Sequence, residues 1–103
     1  MFIYNTTFHV SSGDKDEFIS WLKAVYVPEA VSAKVLRNPR LSLIMAHAEN
    51  DDGISYSLQF EVDTIDALEK WYKEEGTKLL AKFGEKFQQR VLGFSTIMHC
   101  IDL

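Results

Sequence analysis

The sequence predicts a single α+β domain in which a four-stranded antiparallel sheet carries two helices on one face. One observation behind this prediction is the length of 103 residues, which suits one domain, 1–103. The others are four segments rich in β-branched, aromatic or alternating apolar residues, and two segments whose apolar residues recur at helical spacing. Read in order, these segments give β-α-β-β-α-β.

The composition indicates a globular protein and argues against nucleic-acid and membrane partners. Hydrophobic residues make up 47% of the chain, charged residues 25%, and the net charge is −4. Because phosphate backbones need clustered lysine and arginine, we expect no nucleic-acid partner. No apolar run approaches the ~20 residues that span a bilayer, and the N-terminal residues lack the basic region of a signal peptide. We therefore expect a cytoplasmic protein without a membrane partner.

The first half of the motif is predicted from residues 2 to 33. Phe2 to Val10 are dense in β-branched and aromatic residues, which predicts a strand. Ser11 to Asp14 supply a turn and an N-cap for a helix whose apolar face contains Phe18, Trp21, Leu22 and Val25. Since Pro28 has no amide hydrogen, the helix is expected to end, kink or restart there, with Pro28 suited to the first turn of a short following helix.

The second and third strands are expected to form a hairpin. Asn38-Pro39 is a turn signal, Leu41 to Ala48 reads as the second strand, and Asp52-Gly53 suits a tight turn. In the third strand, five apolar residues alternate with four polar ones: Ile54, Tyr56, Leu58, Phe60 and Val62 against Ser55, Ser57, Gln59 and Glu61. This alternation predicts one buried face, which includes Tyr56.

The last two elements are a helix and a strand. Asp63-Thr64 is predicted to cap the helix, and Gly76 to break or loosen it. Its apolar side is marked by Ile65, Leu68, Tyr72, Leu79, Leu80 and Phe83. A short amphipathic piece around Phe87 and a strand from Val91 to Ile101 follow.

This order is that of a ferredoxin-like fold, whose crossovers place both helices on one face and the first and third strands in the centre. The opposite face is left open. Asn5, Thr7 and His9 are then expected beside Ser57 and Gln59 on that open face. An amide, an imidazole and hydroxyls could orient a small polar ligand there. The alternative, a hydrogen-bonded dimer interface, is favoured over a ligand site.

Metal and catalytic motifs are missing from the sequence. The three histidines, His9, His47 and His99, have no metal-binding spacing, and Glu49 to Gly53 lacks the end ligands of a calcium loop. We therefore predict no metal and no cofactor. Cys100 is expected to be a buried, inert thiol because no basic partner is evident. Five glutamates are expected to be solvated rather than a catalytic acid pair: Glu17, Glu29, Glu69, Glu74 and Glu75.

Several segments together resemble a known family: Met1 to His9, Tyr26 to Ala30, Asn38 to Leu41, Ile54 to Val62 and Val91 to Met98. They are similar to a small uncharacterised bacterial family, a domain of unknown function related in fold to the dimeric α/β-barrel superfamily. That superfamily includes antibiotic-biosynthesis and haem-degrading monooxygenases. The resemblance implies a homodimer in which two open sheet faces meet across a two-fold axis. Haem-degrading members use an Asn on the first strand, a Trp on the third and a His on the second helix, and Asn5 matches only the first.

Two functions from different classes follow. The first is a homodimeric binding or assembly module with a polar-lined sheet face, able to hold a small-molecule ligand. The alternative, implied by fold analogy, is a cofactor-independent monooxygenase or isomerase acting on a small organic substrate inside the barrel. In that enzyme Asn5, His9 or Tyr56 would orient the substrate, and Tyr56 would drop out if it faced the helices.

Overall fold

The structure, a computed structural model, describes residues 1–45 and 53–103. Its strands are β1 (Phe2–Ser11), β2 (Arg37–Leu43), β3 (Gly53–Val62) and β4 (Val91–His99). The sheet order is β2-β3-β1-β4, and each neighbouring pair is antiparallel. This order confirms the ferredoxin-like arrangement with β1 and β3 in the centre.

Two long helices connect the strands, and each contains a wide π-helical turn. The first helix spans 15–31 and consists of Lys15–Trp21, the π turn Leu22–Tyr26 and Val27–Val31. The second helix spans 65–87 and consists of Ile65–Trp71, the π turn Tyr72–Gly76 and Thr77–Phe87. Short 3-10 turns, Ser12–Asp14 and Gln88–Arg90, lead into the first helix and β4. Neither helix is long and apolar enough to cross a membrane, and the described residues contain no other candidate.

Pro28 does not end the first helix. The amide of Val27 donates to the carbonyl of Leu22, five residues back, and Pro28 falls in the first turn of the α-helical piece that follows. A proline is tolerated there because the π turn has already changed the hydrogen-bonding phase. The predicted restart is therefore confirmed, and an end at Pro28 is wrong. Gly76 ends the second π turn, so it loosens the second helix without breaking it.

The second strand differs from its prediction. It spans Arg37–Leu43, so it starts before Leu41 and excludes the predicted positions 44 and 45. It contains Asn38 and Pro39, where the pairing with β3 shifts register. Asn38 has a φ of 53°, which asparagine tolerates, and Pro39 lies on an edge strand where a missing donor costs little. The Asn-Pro pair therefore forms a bulge and not a turn. The predicted strand residues 46–48 and most of the hairpin turn lie outside the described residues.

The C-terminal part also departs from expectation. Phe87 belongs to the last turn of the second helix, and β4 ends at His99 instead of Ile101. Cys100 is exposed, with its backbone amide donating to the carbonyl of Met1 at 3.0 Å. The prediction of a buried thiol is wrong because β4 is an edge strand whose end no helix covers.

The hydrophobic core lies between the helices and the even-numbered residues of β1 and β3. Phe18 of the first helix is at its centre and fully buried, with its ring centroid 5.0 Å from that of Phe8 and 5.7 Å from that of Phe87. Tyr56 is also buried and contacts Phe18, as the alternation in β3 predicts. Ring pairs of this geometry stabilise a core beyond the apolar area that they bury.

Replacing Phe18 by alanine is expected to lower the free energy of unfolding by about 3–5 kcal/mol, because the cavity left among the rings cannot close fully. Phe18→Leu retains apolar volume and should lose less. Urea unfolding followed by circular dichroism measures both. Ser20→Ala, at an exposed position of the same helix, is the control and should stay within about 0.5 kcal/mol of wild type. Equal losses for Phe18→Ala and Ser20→Ala would contradict this packing.

Candidate functional site

The strand register brings the predicted site residues together on the open face. Asn5 pairs with Gln59 and Thr7 pairs with Ser57 across β1 and β3, and His9 follows at the next position of the same parity. Their neighbours in sequence, on the other parity, are the core residues beneath the helices. The five residues therefore form a patch on the two central strands, on the side away from both helices.

Three of these residues are bonded to one another. The hydroxyl of Ser57 donates to Oδ1 of Asn5 at 2.5 Å, and Nδ2 of Asn5 donates to Oγ1 of Thr7 at 3.2 Å. Asn5 is only 9% exposed although no helix covers this face. A buried amide with both ends hydrogen-bonded is stable and well oriented. The network fixes the centre of the face before any ligand or partner arrives.

His9 lies at one end of the same patch. Its Nδ1 is 3.2 Å from the hydroxyl of Ser55, and its ring covers Gly53 so closely that a Cβ there would be 2.1 Å from Nε2. Gly53 thus allows the imidazole to lie over the start of β3. His99 is at the opposite end of β1, stacked on Phe2 with ring centroids 4.5 Å apart. His9 and His99 do not converge, and His47 lies outside the described residues.

The β4 half of the open face is mostly apolar, and the sequence analysis assigned no β4 residue to it. Leu92, Phe94 and Met98 share this face and are 50%, 66% and 38% exposed. The sequence of β4 could have predicted this, because apolar residues occupy both odd and even positions of the strand, a pattern typical of a strand covered on both sides. The open face therefore combines a hydrogen-bonded polar centre with an exposed apolar edge.

Few charged side chains reach this face. Within residues 1–45 and 53–103, the acidic and basic residues at open-face positions of the sheet are Arg37, Arg40 and Glu61, beside His9, and Arg37 pairs with Asp63 at 2.7 Å. Arg40 and Glu61 line a shallow depression of about 410 Å³ next to the β2 bulge, together with Ile3 and Gln59. Depletion of charge is a property of the central parts of protein interfaces.

Acidic and metal-binding clusters do not add to the site. In the described part of the chain, no group of three or more His, Cys, Asp or Glu side chains could hold a metal ion. Glu17 pairs with Arg90 and Lys86, and Glu29 pairs with Lys82 at 2.6 Å. The hydrogen bond from Arg90 lowers the pKa of Glu17, which is the reverse of what a catalytic acid needs.

The set used by haem-degrading enzymes is not assembled. Trp71 is in the second helix, buried to 2% exposure, with its indole Nε1 donating to the carbonyl of Ala30 at 3.1 Å. It lies on the helix side of the sheet, whereas Asn5 faces the other way. Trp71 therefore packs in the core.

Fold and open face together define a ferredoxin-like α+β protein with one uncovered sheet face. Within that class, the chain belongs to the family described as Domain of unknown function (DUF4286), which it matches over residues 1–101. This confirms the resemblance read from the sequence. No curated protein matches the chain.

Solved structures share the fold at low sequence identity. An ethyl tert-butyl ether D (EthD) family protein from Bacillus halodurans is 17% identical, with 98% of this chain and 100% of that chain covered and a TM-score of 0.72. A dimeric ferredoxin-like protein from an uncultured marine organism is 15% identical, with coverages of 100% and 99% and a TM-score of 0.63. An antibiotic biosynthesis monooxygenase is 15% identical, with coverages of 99% and 100% and a TM-score of 0.61.

The pKa of Glu17 is expected to rise towards its ordinary value when Arg90 is replaced by glutamine. Its lowered value means that the ion pair stabilises the fold above the ordinary pKa and that this contribution is lost as the pH falls through the lowered one. Carboxyl-carbon NMR titration measures the pKa directly. Lys78→Gln removes the same charge elsewhere on the second helix and should leave Glu17 unchanged. An unchanged pKa in Arg90→Gln would contradict the pairing.

Asn5→Ala and Ser57→Ala are expected to be non-additive. Each leaves a hydroxyl or amide of the open-face network without its partner, at a cost of about 1–3 kcal/mol, and the double variant removes both at once. A double-mutant cycle in urea, run at one fixed protein concentration, should give a coupling energy above about 0.5 kcal/mol. Additive losses would show that the bond between Asn5 and Ser57 contributes nothing to stability.

Proposed function

We propose that this protein works as a homodimeric binding and assembly module in which the open sheet faces of two copies pack against each other. The observation that carries the proposal is the exposed apolar edge formed by Leu92, Phe94 and Met98 beside a buried polar centre. Burying these exposed apolar side chains against a partner would therefore be favourable.

A second copy of the chain is the occupant that suits this face. A two-fold interface is self-complementary, so the apolar edge of one sheet can cover the centre of the other while the reverse contact forms at the same time. Arg37, Arg40 and Glu61 supply two positive groups and one negative group, and Arg37 is paired with Asp63, so two copies do not bring a large excess of like charge together. Among similar structures, one protein of the same fold is described as a dimeric ferredoxin-like protein.

The interior of that dimer would present Asn5, Thr7, His9, Ser57 and Gln59 from both copies. Their hydrogen bonds hold the polar groups in fixed directions, so a ligand entering the interior meets an ordered surface. We therefore retain these residues as the proposed contacts for a small polar ligand between the two sheets.

Catalysis is the weaker candidate. A monooxygenase among the similar structures supports it by fold alone. Tyr56 is in the core and leaves the set of proposed catalytic residues, as its parity predicts. The side chain of Asn5 is already hydrogen-bonded to Ser57 and Thr7. A substrate could bind this amide only if one of these bonds broke, so a structural role suits Asn5 better than a catalytic one.

A reducing, cytoplasmic setting suits this proposal. Cys100 is the chain's one cysteine and is exposed, so it has no intramolecular partner with which to form a disulfide. An exposed thiol persists unpaired where cellular reductants keep it reduced.

Wild-type protein is expected to sediment at twice its 11.8 kDa chain mass at micromolar concentrations. Phe94→Glu places a charge in the middle of the proposed interface, where it would be buried without a partner, and should yield monomers. Sedimentation equilibrium measures both masses across a dilution series.

The matched control is Ala81→Glu, which adds the same charge at an exposed position of the second helix. It should remain dimeric. A monomeric wild type would overturn the proposed dimer, and a Phe94→Glu variant that stays dimeric would move the interface away from the open face.

A further inference from the structure

A cavity of about 100 Å³ lies on the helix side of the sheet, between the second helix and strands β1 and β4. It is separated from the open face by the sheet itself. Its mouth is flanked by Tyr72 and Leu80, which are 41% and 56% exposed. Ser95 of β4 lines this opening and is exposed although its parity points towards the helices, and Ile97, two residues further along, lines an adjoining cleft.

Aromatic rings form most of the wall. Phe8, Tyr26 and Trp71 enclose the inner end, and Phe83 closes one side. A molecule in this space would lie against ring faces and edges, which attract flat aromatic groups. The volume is of the same order as the roughly 150 Å³ apolar cavity that accommodates benzene. The space therefore suits a single ring.

Two glycines keep the cavity open. A Cβ on Gly76 would lie 2.9 Å from ring carbons of Trp71 and Tyr72, and a Cβ on Gly93 would lie 3.3 Å from the ring of Phe8. A side chain at Gly76 would displace these rings, and one at Gly93 would require the ring of Phe8 to move by a few tenths of an ångström. Glycine here preserves the arrangement of the wall.

Three hydroxyls meet at one side of the cavity. The Ser95 hydroxyl is 3.1 Å from Oγ1 of Thr6 and 3.4 Å from the phenol oxygen of Tyr4. Three hydroxyls carry three protons, and the two bonds between them use two. One proton and several lone pairs remain for a ligand oxygen. The wall is therefore mainly apolar, with a cluster of hydrogen-bonding groups at Ser95.

Both π turns border this cavity. Tyr26 is the last residue of the π turn in the first helix, while Tyr72 and Gly76 are the first and last of the π turn in the second. A π turn inserts an extra residue into a helix and re-aims the side chains around it, and such turns are frequent at functional sites. Both helices therefore deviate from α-helical geometry where they line this cavity.

We infer that this cavity binds a small molecule containing a single aromatic ring that carries a hydroxyl or carbonyl oxygen. The ring fills the space among Phe8, Tyr26 and Trp71, and its oxygen bonds to the Ser95 and Thr6 hydroxyls. Substituents on the far side of the ring extend into the adjoining cleft of about 590 Å³, which shares Tyr4, Tyr72 and Ser95 with the cavity.

The phenol of Tyr26 is suited to a position against an uncharged aromatic ring. Burial, with smaller contributions from Tyr4 and Tyr72, raises its pKa, so the group stays protonated and uncharged at neutral pH. An uncharged wall favours a neutral ring over a charged ligand at the inner end of the cavity.

The test is a titration of the full chain with phenol, toluene and cyclohexanol, followed by amide NMR signals. Phenol should shift the amides of Gly76 and Gly93 to saturation. Toluene lacks the oxygen and cyclohexanol lacks the aromatic ring, so each should bind at least about fivefold more weakly. Equal binding of all three compounds, or no saturable shift at these glycines with phenol, would overturn the inference.

Neighbouring residues of β4 provide matched variants. Ser95→Val removes the hydroxyl and fills part of the cavity, so phenol affinity should fall at least about tenfold. Thr96→Val makes the same kind of change on the other face and should keep affinity within about twofold. Leu80→Trp, at an exposed position, adds bulk at the mouth and should also weaken binding if Ser95→Val does not fold. Phenol affinity preserved in a folded Ser95→Val or in Leu80→Trp would refute the site.

This site and the proposed dimer can fail separately. Phe94→Glu should keep phenol affinity within about twofold whether or not it dissociates the dimer, because Phe94 faces away from the cavity. If the wild type is monomeric and binds phenol, the proposed dimer is wrong and the cavity site is supported. If it is dimeric and does not bind phenol, the cavity site is wrong and the proposed dimer is supported.

Discussion

The structure depends on the pairing of β1 along both of its edges. From Phe2 to Val10 every residue has a partner in β3 and another in β4, without a register shift. Because side chains alternate along a strand, this continuous pairing assigns each residue of the sheet centre to one side. If β1 shifted by one position, Phe8 would face outwards and Asn5 would face the core. The alternation of apolar and polar residues in β1 therefore fixes its register.

The two sides created by this pairing carry different chemistry. On the helix side, aromatic rings form a core that is closed over β3 but remains incomplete beneath β4, where the cavity opens. On the other side, a short hydrogen-bonded network spans β1 and β3, and apolar side chains stand exposed on β4. Strand β4 is thus incompletely covered on both faces, and it contributes residues to the proposed dimer interface on one face and to the cavity on the other.

The sequence was most informative where a pattern of side chains alone determines the structure. Alternation in β3 predicted its face, the burial of Tyr56 and, through the strand order, the meeting of Asn5 and Thr7 with Ser57. The Thr64 cap is also as predicted, since its hydroxyl accepts from the amide of Ala67. These features depend on local residue types and on a topology that strand and helix order restricts strongly.

Other features could not be read in this way. The π turns are shifts in backbone hydrogen bonding after Trp21 and Trp71, and no residue type specifies such a shift. The bulge at Asn38 uses the same residues as a turn, and only pairing with β3 distinguishes the two. The cavity was missed for a related reason. Its hydroxyls, Tyr4, Thr6 and Ser95, lie on strand positions facing the helices, where sequence reasoning expects plain core packing.

The two edges of the sheet differ in their protection. At one edge, β2 contains a bulge and a proline, both of which discourage further strands from adding. At the other, Val91–His99 pairs regularly with β1 and contains no proline, lysine or acidic residue. The outer side of β4 therefore presents a long, regular row of backbone groups onto which a further strand can pair. Of the two edges, β4 is therefore the one more open to aggregation by strand addition.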